Sequence, residues 1–291
     1  MSWKFPVENK IIVVTGGGSG IGLSYGLLAE KQGAKAVLVA DISLTDEAKL
    51  AIKDHTSFEF IQCDVTKWSD LQNLIDVSVD KFGDVPDVFV ASAGVFEPSV
   101  LLIVELWKKY FLSSLVQIKL TRLAIRALLG KNKQGVVVIV GSIAGYSKQY
   151  PAPIYSATKH AVVGFTRSLG SAQDLQGVKV VCVCPGIVTT PIWTTGTPGS
   201  GERFGVNESL AITSDEVAEA IGDAVELAEY PGGTVLEVSK EGRRVIPEWN
   251  IKPPGLVDGQ MGKGTTVPPE VIAKALGPIL ARTAAEKGCS E

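Results

Sequence analysis

Histidine and cysteine are scarce in this 291-residue chain, and each shortage argues against a chemistry. The only histidines, His55 and His160, are far apart, so a histidine-rich metal site is not expected. Cys63, Cys182, Cys184 and Cys289 show no disulfide framework. Cys182 and Cys184 alternate on an apolar β-branched run, where small apolar packing is the expectation. Charge of one sign is also lacking. Lys and Arg number 28 against 31 Asp and Glu, a net charge of -3. No basic excess or polybasic run offers itself to nucleic acid or an anionic membrane. No apolar run approaches the roughly 20 residues that span a bilayer, and the first ten residues carry no apolar signal region. The expectation from these absences is a cytoplasmic protein with no metal, nucleic-acid or membrane partner.

What is present is a regular alternation. The composition, 45% hydrophobic and 20% charged, suits a large α/β unit. Short apolar runs rich in β-branched residues lie at 10–15, 36–41, 58–63, 87–92, 135–142, 178–184 and 234–238, and read as strands buried on both faces. Helical periodicity fills the intervals at 23–32, 66–82, 98–129, 155–169 and 214–229, the last with Ser214-Asp-Glu as its cap and acidic first turn. Strands alternating with helices predict a Rossmann-like, doubly wound parallel sheet of about seven strands with helices on both faces. In such sheets the ligand sits beyond the carboxyl ends of the strands. Gly16 to Gly22, Asp41, Asp64, Gly94, Ser142 and Gly186 all fall at those ends.

The first strand runs straight into Gly16-Gly-Gly-Ser19-Gly20-Ile21-Gly22 and then a helix. Gly16, Gly18, Gly20 and Gly22 let the backbone turn tightly and approach a pyrophosphate, which the free N–H groups of the helix start then bind. Asp41 closes the second strand about 20 residues on, where a carboxylate accepts from ribose hydroxyls and repels a 2′-phosphate. NAD is therefore expected in preference to NADP.

Tyr155-Ser-Ala-Thr-Lys159 follows two prolines that suit a helix start. On a helix Tyr155 and Lys159 stand at i and i+4, one above the other. An ammonium beside a phenol favours the phenolate, which suits proton transfer. Alone, the pair is short and common enough to be a surface contact. Its place after a strand ending in Ser142, on the same edge as the glycine turn, reverses that reading. The Gly-, Pro-, Ser- and Thr-rich stretch at 191–209 leaves the sixth strand at this edge and is expected to be a mobile substrate loop. Tyr146, Tyr150, Trp193 and Phe204 suggest a partly apolar pocket, with Trp193 the nearest candidate for substrate contact. Residues 1–246 are expected to form one catalytic domain, and 247–291 an extension with a helix at 270–287. The apolar stripe of the 98–129 helix predicts a subunit interface, in a homodimer or homotetramer.

Taken jointly, Thr15-Gly-Gly-Gly-Ser-Gly-Ile-Gly22, Asp64-Val65, Ala91-Ser-Ala93-Gly94, Ser142, Tyr155-x-x-x-Lys159 and Pro185-Gly186-Ile-Val188-Thr189 resemble the short-chain dehydrogenase/reductase family. The nearest likeness is to its NAD-linked subgroup related to 15-hydroxyprostaglandin dehydrogenases. The resemblance implies that Tyr155 is the general acid/base and that Lys159 supports it and binds the nicotinamide ribose. It implies that Ser142 hydrogen-bonds the substrate oxygen and that Asp64, with Val65, contacts the adenine. Ala93 and Gly94 would line the adenosine, and the run from Pro185 and Gly186 through Val188 to Thr190 the nicotinamide side. Where the family carries an asparagine in the long helix, counting from Trp107 reaches Ser114, the stand-in. The implied activity is NAD-linked oxidoreduction of a secondary alcohol or ketone. The alternatives are a non-redox enzyme of the same fold (cyclase, dehydratase or isomerase) or a cofactor-sensing binding protein.

Overall fold

The computed structural model describes residues 3–96, 104–196, 199–207, 209–248, 256–257, 260–261 and 269–285. β1 (Ile11–Thr15), β2 (Ala36–Asp41), β3 (Phe58–Gln62), β4 (Val88–Ala91), β5 (Gly135–Val140), β6 (Val178–Pro185), β7 (Val235–Ser239) and β8 (Gly242–Val245) form one sheet in the order β3-β2-β1-β4-β5-β6-β7-β8. All neighbours are parallel except the last pair. The expected seven-strand sheet thus gains an antiparallel eighth strand. The run Gly242-Arg-Arg-Val245 is exposed throughout and lacks the apolar alternation that marks a strand in sequence.

The side chains of β1 divide the core. Ile12 and Val14 join the layer formed with α1 (Gly20–Lys31) and α8 (Ser214–Glu226), through Tyr25, Ala29, Val217 and Ile221. Ile11 and Val13 join the opposite layer with α3 (Trp68–Phe82), α4 (Val104–Gly130) and α5 (Pro153–Ser168), through Leu71, Leu120 and Val162. Short helices α2 (Asp46–Ile52), α6 (Ala172–Gln176) and α7 (Ser200–Arg203) occupy connections. Strands buried on both faces favour apolar side chains, and β5 and β6 are buried throughout, with Lys179 the one charged residue among them.

Local chemistry sets the helix ends. Asp64 Oδ1 accepts from Thr66 N and its hydroxyl, forming a turn that delays α3 to Trp68 rather than residue 66. The cap of α8 is Thr213, not Ser214, and makes a reciprocal capping box with Glu216. Pro153 opens α5 in its first turn, as the prolines predict. The expected helix at 98–129 corresponds to α4; residues 97–103, and the side chains of 104–115 with Ser114 among them, lie outside the described residues. In the extension, α9 (Pro269–Ala285) touches α4, and β9 (Leu256–Val257) pairs antiparallel with β10 (Gln260–Met261).

Candidate active site

The strand order reverses between β1 and β4, which opens a crevice at their carboxyl ends. The two loops meet there. Gly16 has a positive φ of 70°, and a Cβ on it would lie 2.6 Å from Ala93 N. One turn on, a Cβ at Gly18 would meet Ser43 O at 2.4 Å and the Asp41 carboxyl at 2.9 Å. The bare backbone therefore forms a cradle between β1 and β2. Ser19 caps α1 without a side-chain hydrogen bond, so the first N–H groups of this helix stay available to an anion. Asp41 ends β2 with Oδ2 accepting from Gly18 N at 2.9 Å and Oδ1 from Ile42 N at 2.7 Å. Each carboxylate oxygen accepts more than one bond, so both retain capacity toward a ligand hydroxyl. These features fit a dinucleotide: a cradle that any side chain would fill, a helix start and a carboxylate at the adjoining strand end.

On the other flank, β5 passes Gly141 and Ser142 into a 3₁₀ turn, Ile143–Gly145, and then α5. Ser142 is 8% exposed, and its Oγ accepts from Ala144 N at 3.2 Å. The turn is clamped to the helix. A Cβ at Gly145 would lie 2.8 Å from Lys159 O, and Ser156 Oγ donates to Ala144 O at 3.0 Å. The clamp holds Ser142 beside the first turns of α5, which carry Tyr155 and Lys159. Lys159 Nζ sits 5.5 Å from the centre of the Tyr155 ring and donates to Val140 O at 2.9 Å.

A cavity of about 100 Å³ joins the flanks. The residues singled out in the sequence that line it are Ile21, Gly94, Ser142, Tyr155, Lys159, Pro185, Gly186, Val188, Thr190 and Trp193. Gly16, Gly18, Ser19, Gly20 and Gly22 form the adjoining cradle, with Ala93 against Gly16 and Thr190 against Gly20. Asp41 stands at the cradle's edge. Asp64 is farther out, next to Lys67, and the Thr66 hydroxyl holds its carboxyl below the usual range. Val65 packs beneath it on the core.

Phe96 is the wall residue that sequence reasoning missed. It is 4% exposed, with its ring centre 4.7 Å from Tyr155, 4.7 Å from Trp193 and 5.1 Å from Phe204. Arg203 lies over Phe204 at 4.9 Å. The described part of the 191–209 stretch is therefore built, with a 3₁₀ turn at Pro191–Trp193 and α7 pinning aromatic side chains over the cavity. Tyr146 and Tyr150 do not join this wall. The Tyr146 hydroxyl donates to Glu237 at 2.7 Å, and burial followed by this carboxylate pushes its acidity well down; Tyr150 is exposed. Gln117 on α4 was also missed. It is buried behind Lys159, and its amide donates to Val140 O and Ala91 O.

Sheet, crevice and cradle together define a Rossmann-like α/β architecture. Residues 10–199 match the short chain dehydrogenase family, and the chain belongs to that family of oxidoreductases. Among curated relatives, the 15-hydroxyprostaglandin dehydrogenase [NAD(+)] of Rattus norvegicus is 34% identical over 196 residues, 64% of this chain and 71% of the relative. The mitochondrial borneol dehydrogenase of Lavandula x intermedia is 31% identical over 224 residues, 74% of this chain and 82% of the relative. The crystal structure of gox2181 shares the fold with a TM-score of 0.70 at 24% identity, covering 79% of this chain and 94% of that one. No helix among the described residues is long and apolar enough to cross a membrane.

Proposed function

We propose that this chain is an NAD-dependent dehydrogenase of secondary alcohols and the corresponding ketones. The observation that carries the reading is the shared cavity, in which Ser142, Tyr155 and Lys159 face the end of the glycine cradle. The cradle and the start of α1 would hold the pyrophosphate, Asp41 the adenine ribose, Asp64 and Val65 the adenine end, and Gly186, Val188 and Thr190 the nicotinamide side. NAD(H) bound there supplies the hydride acceptor or donor. In the oxidative direction the Tyr155 phenolate accepts the proton of the substrate hydroxyl, while Ser142 Oγ hydrogen-bonds the same oxygen and fixes it. The Lys159 ammonium favours the phenolate and reaches the nicotinamide ribose. The reductive direction uses the same groups in reverse. Ser114, whose position on α4 precedes Gln117 by one turn, is assigned a supporting role behind Lys159. Phe96, Trp193 and Phe204 exclude water and favour a substrate with an apolar body beside its carbinol.

Residues 1–246 act as the catalytic unit, with 247–291 as an extension, in a cytoplasmic homodimer or homotetramer joined through α4. A panel of alcohols and ketones followed by NADH absorbance tests the reading. Tyr155→Phe is expected to lower kcat about 10³-fold while NADH binding changes less than about twofold. Substrate consumption without NADH formation would sink the proposal in favour of a non-redox enzyme. An inert panel with intact NADH binding would favour a cofactor sensor.

A further inference from the structure

Behind the cavity, one carbonyl serves two donors. Lys159 Nζ donates to Val140 O at 2.9 Å, and Gln117 Nε2 donates to the same oxygen at 3.1 Å. The same amide nitrogen reaches Ala91 O at 3.3 Å. Ala91 ends β4 and Val140 ends β5, so this amide ties together the two strand ends from which both flanks of the cavity begin. Its orientation follows from its partners, since turning the amide over would set its oxygen against two carbonyl oxygens. Gln117 is 2% exposed, and its Oε1 has no protein partner. A buried amide with an unpaired acceptor is less favourable than an apolar side chain of the same size. Along the buried face of α4, Val116, Leu120, Ala124 and Leu128 are apolar, and the one other buried polar side chain described there, Thr121, spends its hydroxyl on Gln117 O. Packing therefore does not account for it.

We propose that Gln117 is a positioning residue for Lys159. By occupying part of Val140 O, the amide weakens the hold of that carbonyl on the ammonium and leaves Nζ free to serve Tyr155. Its unpaired Oε1 is a buried acceptor next to the lysine's anchor. Among the described residues, the titratable groups facing Lys159 are Tyr155 on its own helix and the thiols of Cys182 and Cys184 on β6. Arg203 lies over the Phe96 ring at 5.7 Å, and that ring packs on Tyr155 at 4.7 Å. The inference rests on the reading of Tyr155 and Lys159 as the proton-transfer pair.

The test uses the full chain with Gln117→Met, which keeps the volume and removes both donations. Gln117→Asn, whose shorter arm withdraws the amide from the two carbonyls, is the second variant. The ultraviolet absorbance of the Tyr155 phenolate is titrated in each, as the difference from the same protein carrying Tyr155→Phe. Both variants are expected to form the phenolate about one pH unit higher than the parent. With a secondary alcohol that the parent oxidises, kcat near pH 7 is expected to fall about tenfold and to recover at high pH, with KM little changed. A titration midpoint that does not move, a pH-independent loss of kcat, or failure of both variants to fold overturns the proposal. A shifted midpoint in a protein that oxidises no alcohol leaves Gln117 standing and removes the dehydrogenase reading instead.

Discussion

The two flanks of the crevice are built by different means. From β1 to β2 the contact surface is backbone, shaped by glycines against which no Cβ fits, with one carboxylate at its edge. From β5 to β6 it is side chain, held by partners distant in sequence. Lys159 is anchored 19 residues back at Val140, and Gln117 ties strand ends 26 and 23 residues away. The difference matters for mutation. The first flank fails when an atom is added, the second when one is taken away.

That contrast is open to direct attack. The largest effect is expected from Gly18→Val, which drives a side chain into Ser43 O and the Asp41 carboxyl. NADH affinity should drop about 100-fold or more, well beyond the loss of one hydrogen bond, as read by fluorescence titration. An affinity close to the parent's would show that the cradle is not where the dinucleotide binds. Asp41→Ala should lower the preference for NADH over NADPH about tenfold, and an unchanged ratio of the two dissociation constants would remove Asp41 from the ribose site. Phe96→Ala takes away the ring packed on Tyr155, Trp193 and Phe204. It should raise KM for an apolar secondary alcohol about tenfold, the worth of one well-packed aromatic contact, and leave KM for NAD unaltered. Equal changes in both constants would deny the division between the flanks.

The smallest effect on activity belongs to a buried charge remote from the crevice. Lys179 on β6 is fully buried and donates to Val225 O and Leu227 O at the end of α8. Burial pushes its value down from 10.5 to about 8. Between these values the unfolded chain holds the proton more firmly than the folded one, so stability rises with pH across that window and the burial penalty is fully imposed below it. The rise should approach roughly 3 kcal/mol in denaturant melts from pH 8 to 10.5. It should be missing in Lys179→Met, whose turnover at pH 7 should match the parent's. A rise that persists in the variant would assign it to another group.

How much of this was legible follows from the same division. The glycine turn and Asp41 are contiguous in sequence with the strands that place them, and a backbone that must come close to a ligand leaves its mark as missing side chains. Tyr155 and Lys159 were legible because helix geometry relates them and Ser142 follows closely on the end of the preceding strand. Phe96 was not, because its partners Trp193 and Phe204 arrive from a loop about a hundred residues on, a distance that spacing rules do not bridge. Gln117 belongs to no motif in the sequence, and only the neighbouring strand ends show what its amide holds. β8 escaped notice because an edge strand needs no buried face. The subunit interface expected of α4 and the role expected of Ser114 rest on the segment whose side chains lie outside the described residues.

That edge strand bears on how copies of this chain meet. In β8, Arg243 pairs with Glu219 and Asp223 of α8, and Arg244 with Glu237 of β7. A second sheet docking side by side along β8 would line up its own guanidinium groups with these and compete for the same carboxylates. Charge of this kind guards an open sheet margin against end-to-end polymerisation. The margin at β8 is thereby guarded against sheet extension.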